Sequence, residues 1–199
     1  MHDTLLRDDY LTDVQLQSFM REIRGRHHVH RLRNHALFAT LANTGIRPGE
    51  AVKLTVGDLH LADREPWIRI RRLKSRREQG RLQDLPVSRG LARVLKRHVD
   101  KLGLAGPLGE TEPATPVFPM TVRNVELLFH FYAKRARLRG RFRLYCLRHT
   151  ALDRAHRASR GDLRLVQEIA GHKSPVTTSI YVRTDPVRMR RVIERTSQI

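Results

Sequence analysis

Residues 67–87 read WIRIRRLKSRREQGRLQDLPV, and in this stretch the hydrophobic period of the chain changes. Trp67-Ile68-Arg69-Ile70-Arg71 alternates as a strand does, and Leu82 to Val87 reads as its partner. Between them, Lys74-Ser75-Arg76-Arg77-Glu78-Gln79-Gly80 is polar and basic, which predicts a β-hairpin tipped with cations. On either side the period is helical. Leu16, Phe19, Met20 and Ile23 share one face, with Thr12 and Gln15 spaced for a capping box at its start. A second helix is predicted from near Arg31 to Asn43, burying Leu37, Phe38 and Leu41 and stopping at Gly45. Pro48 suits the first position of a further helix carrying Glu50, Ala51, Val52 and Leu54.

Past the hairpin, Leu91, Val94, Leu95, Val99 and Leu102 predict another helix. Residues 103–119 hold three Gly and four Pro and predict a loop. Helices are then expected at roughly 121–138, 145–158, 162–170, 175–183 and 186–195. The expected fold class is mainly α with a small antiparallel β-sheet, as one domain over residues 1–199.

The chain has 199 residues, with 39 Lys and Arg against 20 Asp and Glu, a formal charge of +19. Apolar residues make up 40% of it, too many for a disordered polycation, so a folded domain with a polyanionic partner is expected. No apolar run approaches the roughly 18–20 residues needed to span a bilayer. The first residues lack the charged-then-apolar order of a secretory signal, so a cytoplasmic, nucleoid-associated protein is expected. The single cysteine, Cys146, excludes an internal disulfide and a multi-cysteine zinc site. His27, His28, His30 and His35 invite a metal reading, but no acidic or Cys ligand stands near them, so a DNA-facing basic loop is expected instead. No cofactor and no metal are expected.

Three segments resemble the catalytic domain of the tyrosine recombinases, the phage-integrase family. They are Thr44-Gly45-Ile46-Arg47-Pro48-Gly49-Glu50, then Leu147-Arg148-His149-Thr150, and then Ala170-Gly171-His172-Lys173-Ser174 followed by Thr177, Thr178 and Tyr181. The resemblance spans roughly residues 12–190 and includes the hairpin, where the family keeps a catalytic lysine. It implies that Tyr181 attacks the phosphorus and forms a 3′-phosphotyrosyl link. Arg47 and Arg148 would bind the scissile phosphate in fork geometry, with His172 adding a hydrogen bond. Lys74 would protonate the departing 5′ oxygen. Glu50 would support the site through neighbouring side chains, and His149 would stand behind it. Arg71, Arg72, Arg76, Arg77 and Lys173 are expected to contact DNA.

Two positions depart from the family. Tyr145 stands where a His is usual, three residues before the second arginine, and Ala170 stands where Leu is frequent. Tyr145 can donate to phosphate but exchanges protons poorly at neutral pH. About eleven residues precede the first predicted helix, so a catalytic domain without the N-terminal half of the DNA clamp is expected. Residues 182–199 are expected to form a tail helix that docks on a neighbouring protomer. The implied partners are duplex DNA and further copies of the chain, two per site and four in synapsis, with an accessory DNA-binding protein as one substitute for the clamp. The implied activity is site-specific recombination by integration, inversion or resolution. A DNA-binding regulator on the same fold and a nicking-closing enzyme of the topoisomerase IB type are the alternatives.

Overall fold

The computed structural model describes residues 10–25, 29–72, 81–104 and 112–172. The alternation of residues 67–71 becomes strand β2 (Trp67–Arg71), with Ile68 and Ile70 buried on one face and Trp67 and Arg69 on the other. It pairs antiparallel with β3 (Leu82–Pro86), placing Ile68 opposite Leu85 and Ile70 opposite Gln83. A third strand, β1 (Leu59–His60), pairs with the other edge of β2. The sequence reading does not contain it, because two residues are too few to show an alternation.

Helices surround this sheet: α1 (Asp13–Gly25), α2 (Arg31–Thr44), α3 (Pro48–Ala51), α4 (Arg89–Leu104), α5 (Val122–Arg135), α6 (Cys146–Ala158) and α7 (Leu163–Ala170). The Thr12–Gln15 box closes as expected, with Gln15 accepting from the Thr12 N–H at 2.9 Å. Helix α2 lies at the centre, packed by α1, α4 and α6, and is buried on all sides from Ala36 to Ala42. Its Thr40 and Thr44 hydroxyls donate back to the carbonyls of Ala36 and Thr40 at 2.8 and 2.7 Å, so no polar group is stranded there. Phe19, Phe38, Phe129 and Tyr132 form an aromatic cluster with neighbouring centroids 5.2 to 6.3 Å apart.

The structure corrects three boundaries. The helix opened by Pro48 stops at Ala51, because the Leu54 carbonyl is taken by the Val117 N–H at 2.9 Å and Thr55 bridges to Pro116. The expected loop 103–119 is therefore anchored: α4 runs on to Leu104, and Val117 and Phe118 are core residues. Helix α5 ends at Arg135 rather than near 138. Arg137 adopts a left-handed φ of 53°, and the Leu138 N–H closes on the Ala133 carbonyl at 3.0 Å. The hairpin tip and the helices expected at 175–183 and 186–195 lie outside the described residues.

Candidate functional site

Three turns distant in sequence meet where β2 ends. At the first, Pro48 takes the opening position of α3, where a missing N–H leaves no bond unmade, and Arg47 becomes the cap residue. Glu50 turns back on it. One carboxylate oxygen accepts from the Arg47 backbone N–H at 2.8 Å and the other from the Arg47 Nη1 at 3.0 Å. Glu50 is 1% exposed, so its charge is tenable only with such partners.

Arg148 lies at the start of α6 and is 2% exposed. Its Nη1 donates to the Gly45 carbonyl and its Nη2 to the Ala170 carbonyl, the latter at 2.9 Å. Both acceptors stand at helix ends that turn through left-handed glycines, Gly45 and Gly171, each with φ 64°, where carbonyls are released from the helical ladder. Arg148 Nη2 also meets His172 Nε2 at 2.8 Å. A guanidinium only donates, so this imidazole nitrogen accepts and the ring proton sits on Nδ1. Burial, and after it the charges of Arg148, Arg47 and Arg72, push the His172 pKa down to about 4, so the ring is neutral near pH 7.

Arg72 departs from expectation. Its place in the hairpin predicts a DNA-facing cation, yet its side chain is only 6% exposed and turns into the site. Nη1 donates to Glu50 at 3.1 Å, Nε to Gln83 at 2.8 Å, and Nη2 to the Ile169 carbonyl at 2.6 Å. Gln83 completes the junction by donating to the Glu168 carbonyl at 2.8 Å. Together they fasten the root of the hairpin to the C-terminal end of α7. Burial lowers the Arg72 pKa, with Arg148 and Arg47 adding to it and Glu50 opposing. The signal was present in the strand: Arg72 continues the inward parity of Ile68 and Ile70, whereas Arg71 continues the outward one and is exposed.

Arg47 and Tyr145 form the solvent side of the site, with 28% of the Arg47 side chain and 41% of Tyr145 exposed. Tyr145 stands beside Arg47, near enough for the two side chains to act on each other electrostatically. His149 is half-buried and edge-on to Tyr145, with centroids 5.6 Å apart. Three guanidinium charges thus face one carboxylate and a neutral imidazole. The surplus is positive and half-buried, with fork-shaped donors at its floor and lip, an arrangement suited to a tetrahedral oxyanion.

Arg47, Glu50, Tyr145, Arg148 and His172 are therefore gathered in one place. Lys74, Arg76, Arg77, Lys173 and Tyr181 lie outside the described residues, as do His27 and His28. His35 sits in a cationic setting, its pKa lowered by burial and by Arg24, Arg97 and Arg31. No described helix is long and apolar enough to cross a membrane.

Comparison with known proteins gives concordant matches. The model of the phage integrase family matches residues 9–188. The tyrosine recombinase XerC of Escherichia coli O127:H6 is 28% identical over 155 residues, covering 77% of this chain and 49% of the relative. The chain thus spans about half the length of the curated relatives it matches. Among solved structures, XerA recombinase superposes with a TM-score of 0.72 at 22% identity, over 96% of this chain and 64% of the other. XerH site-specific recombinase bound to its difH substrate does so at 0.70 and 24%, over 92% and 53%. The catalytic domain of bacteriophage HP1 integrase matches at 0.64 and 16%, over 93% of both chains.

Proposed function

This chain belongs to the phage integrase family, and on that footing we propose that it is a site-specific recombinase that cuts and rejoins duplex DNA through a covalent 3′-phosphotyrosyl link. One observation carries the proposal. Arg148 hydrogen-bonds the segments that precede Arg47 and His172, so the three family segments converge on a single cationic pocket. Arg47 and Arg148 hold the non-bridging oxygens of the scissile phosphate, and His172 and Tyr145 border it. Tyr181 attacks phosphorus as its phenolic proton leaves, the bond to the 5′ oxygen breaks, and Lys74 protonates that oxygen. Religation reverses these steps. Each preorganised donor in such a pocket contributes about 3–4 kcal/mol of barrier lowering.

The chain corresponds to one catalytic domain, a reading supported by its equal coverage with the HP1 catalytic domain. DNA is the partner, with two protomers on a site and four in synapsis, and with residues 182–199 docking between protomers. An accessory DNA-binding protein is a further partner in this reading. A suicide duplex nicked beside the cleavage site tests the chemistry: a trapped adduct is expected with the natural chain and none with Tyr181→Phe. An adduct lost in Tyr145→Phe but kept in Tyr181→Phe would move the nucleophile to Tyr145. A DNA-binding regulator without chemistry is the second reading, favoured by the phenol at position 145, and it predicts binding with no adduct from any variant.

A further inference from the structure

The last three carbonyls of α7 each accept from a side chain of a distant element. Glu168 accepts from Gln83 Nε2 at 2.8 Å, beside the Gly171 N–H at 3.0 Å that closes the helix. Ile169 accepts from Arg72 Nη2 at 2.6 Å and Ala170 from Arg148 Nη2 at 2.9 Å. Carbonyls at a helix C-terminus lack ladder partners, and the helix dipole favours cations there. Two adjacent carbonyls of one helix end are thus gripped by Arg72, at the root of the hairpin, and by Arg148, at the floor of the anion pocket. His172 follows two residues later.

The grip of Arg72 is stiff. Its Nε donates to Gln83 Oε1 at 2.8 Å and its Nη1 to Glu50 at 3.1 Å, while its backbone N–H closes the hairpin on the Arg81 carbonyl at 2.8 Å. The guanidinium lies flat against Gly171, where an added Cβ would stand 2.5 Å from Nε. Pairing of β2 with β3 fixes the two strands to each other, and Arg72 and Gln83 fix them to the end of α7. Lys74 stands two residues beyond Arg72 in the chain. Two residues span at most about 7 Å, so the position of Arg72 bounds that of the Lys74 backbone.

We propose that Arg72 and Gln83 are positioning residues for protonation of the leaving group. By gripping the end of α7 beside the Arg148 contact, they hold the hairpin that bears Lys74 in register with the scissile phosphate. This rests on the recombinase reading, which puts the phosphate at Arg148 and the acid at Lys74. In the step concerned, the Tyr181 oxygen bonds to phosphorus, the bond from phosphorus to the 5′ oxygen breaks, and an ammonium proton of Lys74 passes to that oxygen. Displacing a reacting group by about 1 Å costs on the order of 100-fold in rate. Among the described residues the Gln83 side chain hydrogen-bonds Arg72 and Glu168, so loosening it disturbs the hairpin root and leaves the partners of Arg148 in place.

The test compares adduct formation by the full chain on two suicide duplexes, one natural and one with sulfur in place of the 5′ bridging oxygen at the cleaved phosphate. A thiol ionises near pH 8.5, so the sulfur departs as a thiolate and needs no acid. Gln83→Glu is nearly isosteric and still accepts from Arg72, but it cannot donate to the Glu168 carbonyl. The readout is the ratio of the sulfur rate to the oxygen rate, in which any loss of folded protein cancels. Relative to the natural chain, this ratio should rise about 10- to 100-fold in Gln83→Glu and in Arg72→Gln. In Lys74→Ala, which lacks the acid itself, it should rise about 100- to 10,000-fold. A merely structural role slows both duplexes alike, so an unchanged ratio in Gln83→Glu overturns the proposal. An unchanged ratio in Lys74→Ala overturns it too, because the acid then lies elsewhere. With no adduct from the natural chain on either duplex the recombinase reading itself falls, whereas an adduct with unchanged ratios removes the positioning role alone.

Discussion

Replacing Gly171 by Ala tests the junction on which the site is built. The new Cβ would stand 2.5 Å from Arg72 Nε, 2.8 Å from Cζ and 3.0 Å from Cδ. In most places an arginine would swing aside. Here its guanidinium is tied to Glu50, Gln83 and the Ile169 carbonyl, so moving it breaks a buried ion pair. The left-handed φ of 64° adds about 1 kcal/mol for a residue with a side chain. Displacing the guanidinium adds about 3 kcal/mol or more. The sum, about 4 kcal/mol, lowers the melting temperature by about 8–16 °C for a chain of this size. In an Arg72→Ala background the obstacle is gone, and the same substitution should cost only about 1 kcal/mol. Urea denaturation of the four chains in the cycle gives the coupling, expected near 3 kcal/mol. A Gly171→Ala increment that is equal in both backgrounds, within about 0.5 kcal/mol, refutes the placement of Arg72 against Gly171. Gly45→Ala is the comparison, because it has the same φ but its nearest neighbour, Leu152 Cδ2, lies at 3.2 Å.

Three other outcomes follow from the same geometry. Arg148→Lys keeps a charge but loses the fork that reaches both the Gly45 and Ala170 carbonyls; adduct formation on the suicide duplex should fall about 100- to 1000-fold. His172 has its pKa depressed from 6.5 to about 4, so the unfolded chain takes up a proton first on acidification. Its contribution to stability is full above pH 6.5 and is lost as pH falls toward 4; melting curves of His172→Gln should show a shallower decline across that window. Arg137→Gly relieves a left-handed φ of 53° and should raise the unfolding free energy by up to about 1 kcal/mol, read by urea titration.

Local chemistry made much of the fold legible. The capping box at Thr12 and the stop at Gly45 are short-range devices, each satisfied within a turn of chain. The pairing of β2 with β3 follows from two alternating runs joined by a polar turn. Errors came where distant chain competed. Leu54 would continue a helix but gives its carbonyl to Val117, while the loop expected at 103–119 holds no helix or strand after Leu104 among the described residues and is tied to residues 54–57 by backbone hydrogen bonds. Arg137 looks helical by period, and only the closure of Leu138 on Ala133 shows that α5 has already ended.

Sequence by itself determined the residue types the pocket requires, their order, and the periodicity that buries one face of each element, because those depend on backbone geometry over a few residues. Tertiary structure alone decided which groups the inward cations meet. Arg71 and Arg72 are neighbours of identical chemistry, yet one is exposed and the other meets Glu50, 22 residues away, and Ile169, 97 residues away. Arg148 likewise finds the Gly45 carbonyl across 103 residues. A guanidinium tolerates burial only where carboxylates and released carbonyls are already waiting, and no local pattern records where the folded chain will bring them.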